Sequence, residues 1–332
     1  MINKKILFVS IGGHDMHEKI AKNIGDIFYL KESKKIPKGY EIYLFEGSYI
    51  KPILLKKIGK IDKKSKIIIL FPDPRLFYLG KRKIYDIKNR KMKNMSFIRY
   101  QLSKKLIKQI DGALCMGKFL GSLFKKYNKK SPMKIVYGFI NAERYLELLK
   151  IKPNLLTHNL LFIGDGPDPY CKGLDLLIDV FKIIKKKIPD ARLDILGRRW
   201  HVKEAWKTKG VYFHGRKDIV PFLKNSSLCL HLGKGEGFGI NIVESMLAGV
   251  PTIVSEYTGA KEVVEKANKD FVVPVNKNKI VEKIIKYFDS KQEEKEQLSR
   301  KVRIPAKKFE EEYMIKYFKK QLENLLKEIY KD

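Results

Sequence analysis

The sequence predicts an α/β protein of two domains, each with a parallel β-sheet covered by helices on both faces. Short apolar runs of five or six residues alternate with amphipathic segments along the chain, which is typical of βαβ units. Several of these runs end in glycine, as strands that lead into tight turns do. The length of 332 residues exceeds what one hydrophobic core usually serves, so two domains are expected.

The apolar runs and the helical periods fix the predicted elements. Strands are predicted at 5–10, 41–45, 66–71, 134–138, 160–164, 192–197, 211–215, 227–232 and 251–255. Helices are predicted around 119–127, 174–184, 240–249 and 306–328. Pro153 and its polar neighbours mark the domain boundary, so the prediction is an amino-terminal domain over 1–152, a second domain over 153–305, and a terminal helix over 306–332.

Composition limits the classes of protein that remain. Cys115, Cys171 and Cys229 are far apart and show no metal-binding spacing, which favours reduced cysteines in a cytoplasmic protein. No window approaches the roughly 20 apolar residues of a membrane span. The start, MINKKILFVSIGG, has too short an apolar run for a signal peptide and predicts a first strand.

Charge is concentrated in one part of the chain. The net charge is +33, and segment 81–134 carries 17 Lys and Arg side chains against Asp86 and Asp111. This basic segment includes a lysine-rich amphipathic helix at 119–127, and it suits the inner face of the cell membrane or a phosphate-rich acceptor. A lysine-rich solvated surface is the alternative. Nucleic acid is disfavoured, because the segment lacks recognisable nucleic-acid motifs and interleaved aromatic residues.

The stretch GKGEGFGINIVESMLAGVPTIVS, residues 233–255, predicts a ligand site. Its glycine-rich turn lies between a strand and a helix, where free N–H groups and the helix dipole favour an anion such as a diphosphate. Glu236 lies in the turn and Glu244 in the early part of the helix. Two carboxylates beside an anion site suit a ligand with hydroxyl groups on both sides of a diphosphate, as in a nucleotide sugar.

These residues carry a resemblance to a known family. Glu236-Gly237-Phe238-Gly239, then Glu244, then Ala248-Gly249-Val250-Pro251, resembles the E-x7-E signature of retaining glycosyltransferases of the GT-B fold. The segment LLFIGDGPDPYCKGLDLLIDVF, with Lys172 and Gly173, is similar to a strand–loop–helix of the same family. The resemblance covers the carboxyl-terminal half well and the first 150 residues poorly. It implies two Rossmann-like domains facing a cleft, with the terminal helix returning to the amino-terminal domain.

The resemblance also implies residue roles. Glu244 would hold the ribose hydroxyls, and Glu236 would contact the donor sugar. Lys172 would bind the diphosphate and stabilise the leaving group, so that no metal and no cofactor beyond the donor is required. The remaining implied donor contacts are Gly12, Gly13, Phe238, Gly239 and Ile240. Retention would follow from attack on the face that the phosphate leaves, with that phosphate accepting the acceptor's proton.

One position departs from the family pattern. An arginine usually follows the strand that ends at Gly164, and Asp165 begins an acidic loop there instead. Arg198, Arg199 or Arg216 would compensate, since each follows a predicted strand ending in glycine. Arg198 is therefore included among the predicted donor-binding residues.

Other candidates lie in the amino-terminal half. His14 follows the first strand and is predicted to contact the sugar or the acceptor as a catalytic residue; with His17 and Asp15 it also suggests a metal, although no further ligands are in view. A polar loop is the alternative. Asp73 and Arg75, after another strand, are predicted on the acceptor side, with a structural turn as the alternative.

Three functions remain open at this level. The leading hypothesis is a retaining glycosyltransferase acting on a nucleotide sugar, with an acceptor that is a lipid or another anionic molecule. The first alternative is a protein of the same fold that binds nucleic acid or an anionic polymer without catalysis. The second is a nucleotide-sugar epimerase, which would form product without an acceptor.

Overall fold

The computed structural model describes residues 4–10, 15–30, 35–73, 83–86, 91–94, 97–165, 172–198 and 202–331, and of 83–100 only the backbone. The strands are β1 Ile6–Ser10, β2 Asp26–Tyr29, β3 Ile42–Glu46, β4 Lys66–Phe71, β5 Lys83–Asp86, β6 Lys91–Asn94, β7 Gly112–Met116, β8 Met133–Val136, β9 Asn159–Ile163, β10 Arg192–Leu196, β11 Val211–Gly215, β12 Leu228–His231, β13 Thr252–Ser255 and β14 Val272–Val273.

The helices alternate with these strands. They are α1 Asp15–Lys22, α2 Ile50–Lys57, α3 Phe97–Leu106, α4 Lys118–Tyr127, α5 Ala142–Leu149, α6 Leu174–Lys187, α7 Val220–Asn225, α8 Ile240–Leu247, α9 Lys261–Ala267, α10 Lys277–Phe288, α11 Gln292–Ala306 and α12 Glu311–Ile329. Among the described residues, no helix combines the length and the apolar character needed to cross a membrane.

Contacts between residues divide the chain into two units, with the boundary after Phe139. The sequence predicts this boundary after residue 152. The first unit holds a six-stranded parallel sheet in the order β2-β1-β3-β4-β7-β8. β1, β3, β4 and β7 are buried almost throughout, as strands covered on both faces are. α12 belongs to this unit and packs on β7 and β8.

α12 begins at Glu311 rather than at 306, which corrects the predicted start of the terminal helix. Residues Lys307–Phe309 form a 3-10 turn, and Glu310 is extended with φ −67° and ψ 145°, so the helical path is interrupted there. At the other end, α12 lies close to the start of β7. A Cβ on Gly112 would come within 2.7 Å of Ile329 Cδ1, so glycine permits this contact.

The second unit, residues 140–310, has its own six-stranded parallel sheet. The strand order is β11-β10-β9-β12-β13-β14, so β9 lies between β10 and β12. All nine predicted strands coincide with strands of the two sheets. The prediction of two parallel-sheet α/β domains is therefore confirmed. In a parallel sheet the carboxyl ends of neighbouring strands meet at one edge, which gathers the loops after β9, β10 and β12.

α8 carries the predicted site and is fixed at its carboxyl end. Its buried residues include Ile242, Val243, Met246 and Leu247, the apolar face that the sequence predicts. Gly249 ends the helix with a left-handed φ of +80°. The Arg303 guanidinium, from α11, donates to four backbone carbonyls that lie just beyond α5 or at the ends of α5 and α8: those of Leu149, Ile151, Leu247 and Ala248.

Candidate functional site

The loop of residues 232–239 joins β12 to α8 at the carboxyl edge of the second sheet. Gly259 lies against it so closely that a Cβ would be 1.8 Å from the Gly237 carbonyl oxygen. The Gly259 and Ala260 amides donate to the carbonyls of Glu236 and Phe238, at 3.2 and 2.7 Å. These contacts fix the backbone that leads into the first turn of α8, whose amides have no partner within the helix.

Gly239 is the residue immediately before α8 and has a φ of +84°. This left-handed conformation favours glycine, and a Cβ there would lie 3.0 Å from the Glu236 Cγ atom. Phe238 is buried and its ring stacks on Phe309 at 5.4 Å between centroids. Its side chain therefore belongs to the core, and only its backbone is placed for a ligand.

Lys172 reaches Glu236 because two loops approach each other. Gly173 has a φ of +71°, and a Cβ there would lie 2.4 Å from the Leu232 carbonyl oxygen. The residue before it, Lys172, donates its Nζ hydrogen bond to Glu236 Oε2. The structure thus brings together Lys172 and Glu236, which the resemblance placed at one donor site.

His231, the last residue of β12, completes a cluster with these two side chains. Its Nε2 lies 3.2 Å from Glu236 Oε2, and its side chain is 1% exposed. Burial opposes the charge on Glu236, but the Lys172 ammonium and the His231 imidazole outweigh it and hold the pKa of this carboxyl below its ordinary value. Glu236 is therefore a carboxylate that accepts hydrogen bonds.

Glu244 lies on the second turn of α8 in a different environment. Burial raises the pKa of the Glu244 carboxyl to about 7, and the charge of Arg144 on α5 opposes that rise only in part. Arg144 itself is held by Asp218 at 2.7 Å and by Glu147 at 2.9 Å. Near neutral pH, the Glu244 carboxyl therefore exchanges between its protonated and ionised forms, and a ligand hydroxyl can find either a donor or an acceptor there.

The pKa of Glu244 predicts a pH dependence of stability. The native carboxyl keeps its proton up to about pH 7, whereas its ordinary pKa is 4.5, so this group lowers the free energy of unfolding as the pH rises through that interval. Glu244→Gln cannot ionise, and its melting temperature relative to the parent should rise between about pH 5 and pH 8. Thermal melts of both proteins across that range test this, and a constant difference would contradict it.

Arg198 and Asp165 form the second charged pair at this edge. The Arg198 backbone N–H donates to Asp165 Oδ1 at 2.7 Å, and its guanidinium lies 3.2 Å from Asp165 Oδ2. These residues follow β10 and β9, which are neighbours in the sheet. The acid found where the family pattern has an arginine thus holds an arginine that comes from the next strand. Arg216 follows the edge strand β11 and is exposed, and Arg199 lies outside the described residues.

Several predicted residues are not part of this cluster. Gly12, Gly13, His14 and Arg75 lie outside the described residues. Asp73 follows β4 in the first unit, so the structure leaves its acceptor role a prediction. Ile240 is the first residue of α8, and its role as a donor contact stays a prediction.

Asp15 and His17 lie in a helix, so the alternative prediction of a polar loop is wrong for these two residues. Both are in the first turn of α1. His17 is buried, with Nδ1 2.6 Å from Glu46 Oε1, while the Ser10 hydroxyl donates to Glu46 Oε2 at 2.9 Å. In the part of the chain that the structure describes, no group of three or more His, Cys, Asp or Glu side chains is arranged to hold a metal ion.

Three residues of the site were missed by sequence reasoning. Arg144 comes from α5, far from the motif in sequence, and nothing in its local pattern marks it. Asn241 donates a side-chain hydrogen bond to the Ile163 carbonyl, which ties the start of α8 to the end of β9. His231 had one usable signal, since a histidine ends an otherwise apolar strand beside a glycine-rich loop.

Comparisons with known proteins agree with this geometry. Residues 160–304 match the family model for glycosyl transferases group 1. N-acetyl-alpha-D-glucosaminyl L-malate synthase of Bacillus anthracis is 24% identical over 50% of this chain and 39% of that protein. GDP-mannose:cellobiosyl-diphosphopolyprenol alpha-mannosyltransferase of Xanthomonas campestris is 28% identical over 41% and 38%. The chain thus spans less than half the length of these curated relatives.

A solved structure shares the fold over almost the whole chain. Anabaena HepE, solved with UDP and glucose, superposes with a TM-score of 0.69 and 15% identity, covering 97% of this chain and all of HepE. This likeness confirms the predicted class of two Rossmann-like domains, since the match extends over both sheets. The matched segment contains Lys172, Glu236 and Glu244, the residues on which the resemblance was based. Residues 160–304, most of the second unit, are thus similar to the glycosyl transferases group 1, and this match covers less than half of the chain.

Proposed function

We propose that this protein transfers a sugar from a nucleotide-diphosphate sugar to an acceptor, with retention of anomeric configuration and without a metal cofactor. The observation that carries the proposal is the cluster of Lys172, Glu236 and the first turn of α8, with Glu244 one turn further along the helix. It offers a cation, a carboxylate and helix amides at the carboxyl edge of a parallel sheet, where nucleotides bind in such folds.

Each part of the donor has a matching group. The diphosphate would accept hydrogen bonds from Lys172, from Arg198 and from the amides of Gly239 and Ile240. The Glu236 carboxylate would accept hydrogen bonds from the sugar hydroxyls, and Glu244 would bind the ribose hydroxyls. HepE was solved with UDP and with UDP-glucose, which supports a donor of this class.

The reaction needs charge stabilisation more than a protein base. The bond between the anomeric carbon and the diphosphate oxygen breaks, and the developing charge on that oxygen is stabilised by Lys172 and Arg198. The acceptor oxygen attacks on the same face, and its proton passes to the departing phosphate oxygen. The products are the glycosylated acceptor and the nucleoside diphosphate, with overall retention. Two side-chain cations at the diphosphate support the metal-independent form of this mechanism.

A lipid-linked or other membrane-associated acceptor is the second part of the proposal. In the basic segment 81–134, Lys118, Lys126, Lys129 and Lys130 on and just after α4 are exposed. Such a surface is attracted to anionic lipid headgroups at the inner face of a cell membrane. The Xanthomonas campestris relative is named for a diphosphopolyprenol substrate, which supports an acceptor of that class.

The deciding experiment is a screen of UDP-, GDP- and ADP-sugars by thermal shift and by donor hydrolysis. We expect one nucleotide class to stabilise the chain and to be hydrolysed slowly. Glu244→Ala should abolish both effects, whereas Glu265→Ala, which removes an exposed carboxylate of α9, should leave them unchanged. A product that forms from the nucleotide sugar in the absence of an acceptor, and without hydrolysis of that sugar, would indicate an epimerase. Salt-sensitive binding of RNA or DNA without nucleotide-sugar binding would indicate the polymer-binding alternative.

Arg198→Ala is expected to weaken UDP binding about tenfold, because it removes a cation and leaves the Asp165 carboxylate beside the diphosphate. Asp165→Ala combined with Arg198→Ala should recover part of that loss, since the repulsive charge is then absent. Titration calorimetry with UDP measures both effects, and Arg300→Ala on the exposed face of α11 is the matched control. Equal affinity in Arg198→Ala and the parent would remove Arg198 from the site.

A further inference from the structure

We infer that His231 is a positioning residue that keeps the Glu236 carboxylate ionised and aligned after Lys172 has turned to the diphosphate of a bound donor. The inference rests on the proposed function, because it concerns a step of donor binding. It assigns a role to a buried histidine that lies beneath the site and does not itself reach the ligand.

Two basic side chains contact the same carboxylate oxygen atom of Glu236. Glu236 Oε2 is in contact with both Lys172 Nζ and His231 Nε2. Lys172 has a long side chain that is 25% exposed, so it can move towards a phosphate. His231 is 1% exposed at the end of a buried strand, and its ring lies 5.5 Å from that of Phe162, so it cannot follow.

Donor binding changes the surroundings of Glu236. A diphosphate competes for the Lys172 ammonium, because two phosphate charges attract it more strongly than one carboxylate does. A buried carboxylate without a partner takes up a proton, and a protonated Glu236 would lose an acceptor for the sugar hydroxyls. His231 is the partner that stays within reach when Lys172 has moved.

The polar atoms of His231 argue against a simple packing role. Both ring nitrogens are fully buried without a well-formed hydrogen bond among the described residues, and Nε2 lies 3.2 Å from Glu236 Oε2. A buried nitrogen without a partner costs stability, so leucine or phenylalanine would fill this position at lower free energy. A histidine that is costly to fold and touches the site carboxylate is expected where function maintains it.

The test compares two replacements of His231 with the whole chain and the nucleotide sugar found in the screen. His231→Leu fills the space without a donor, and His231→Gln keeps an N–H close to the Nε2 position. His231→Leu should lower kcat about tenfold while the Kd for UDP, which lacks the sugar, changes less than about twofold. His231→Gln should return kcat to within about threefold of the parent.

Two further readouts separate positioning from packing. The acid limb of the kcat–pH profile should move to higher pH in His231→Leu, because Glu236 then ionises less readily. In a Glu236→Gln background, His231→Leu should change kcat less than about twofold, since the partner carboxylate is absent. Melting temperatures identify any variant whose loss of activity follows from unfolding.

The outcomes are distinct. If the parent is active and His231→Leu keeps the same kcat and pH profile, the inference about His231 is overturned and the proposed function stands. Equal losses in His231→Leu and His231→Gln, or an undiminished effect of His231→Leu in the Glu236→Gln background, also overturn the inference, since both indicate packing. A parent chain that neither binds nor turns over any nucleotide sugar overturns the proposed function, and this inference with it.

Discussion

Lys172→Ala is expected to lower the turnover of the nucleotide sugar about a thousandfold, the scale observed when an electrostatic contact to the developing charge is removed. Lys172 has two functions in the proposed mechanism. Its ammonium pairs with Glu236 in the structure, and in the proposed reaction it stabilises the departing diphosphate in the transition state. Stopped assays with saturating donor measure the effect on kcat, and UDP titration measures the effect on binding.

Lys266→Ala is the control for Lys172→Ala, because Lys266 is an exposed lysine on α9 in the same unit. It removes the same charge from the chain and should leave kcat unchanged. Lys172→Arg keeps a cation and should retain more activity than Lys172→Ala. Unchanged turnover in Lys172→Ala would contradict the proposed mechanism, whatever the identity of the sugar.

Gly259→Ala is expected to have the largest structural effect at the site. The added Cβ would meet the Gly237 carbonyl oxygen at 1.8 Å. The position of each atom is fixed by its backbone, so neither atom can rotate away from the other. Separating them breaks the hydrogen bonds that hold the 236–238 backbone against residues 259 and 260. We expect a loss of about 3 kcal/mol in the free energy of unfolding, together with loss of UDP binding.

Gly215→Ala is the matched control for Gly259→Ala. Gly215 has a φ of +66°, but a Cβ there would meet no atom within 4 Å. Its substitution should lower the free energy of unfolding by about 1 kcal/mol from backbone strain alone and leave UDP binding intact. Urea unfolding gives both stabilities. A Gly259→Ala protein that is as stable as Gly215→Ala and still binds UDP would show that the loop contact is not required.

The fold was predictable because its core strands are buried on both faces. β1, β3, β4, β9, β12 and β13 give short runs of mainly apolar residues that a reader of the sequence can find. β2 was missed because it is an edge strand with only partial burial and a polar start at Asp26. β7 was missed because its run, GALCM, opens with glycine and lies in the lysine-rich segment.

The site was predictable as far as its residues are close in sequence. Glu236, Gly239 and Glu244 lie in one motif, and their arrangement follows from a glycine turn before a helix. The partners of these residues come from other elements. Arg144 on α5 could not be inferred, because its approach depends on how α5 packs on α8. The pairing of Asp165 with Arg198 likewise depends on β9 and β10 being neighbours in the sheet.

The Arg303 contacts extend the second unit beyond the amino-terminal limit of the family match. The family match covers 160–304 and so contains Arg303, but two of its four carbonyl acceptors, those of Leu149 and Ile151, precede the matched segment. A cation at the carboxyl end of α8 complements the helix dipole, whose opposite end faces the proposed donor site. A fragment cut to the matched residues would keep every side chain of the second unit that we propose for donor binding, and it would still lose half of the anchor that sets the position of α8.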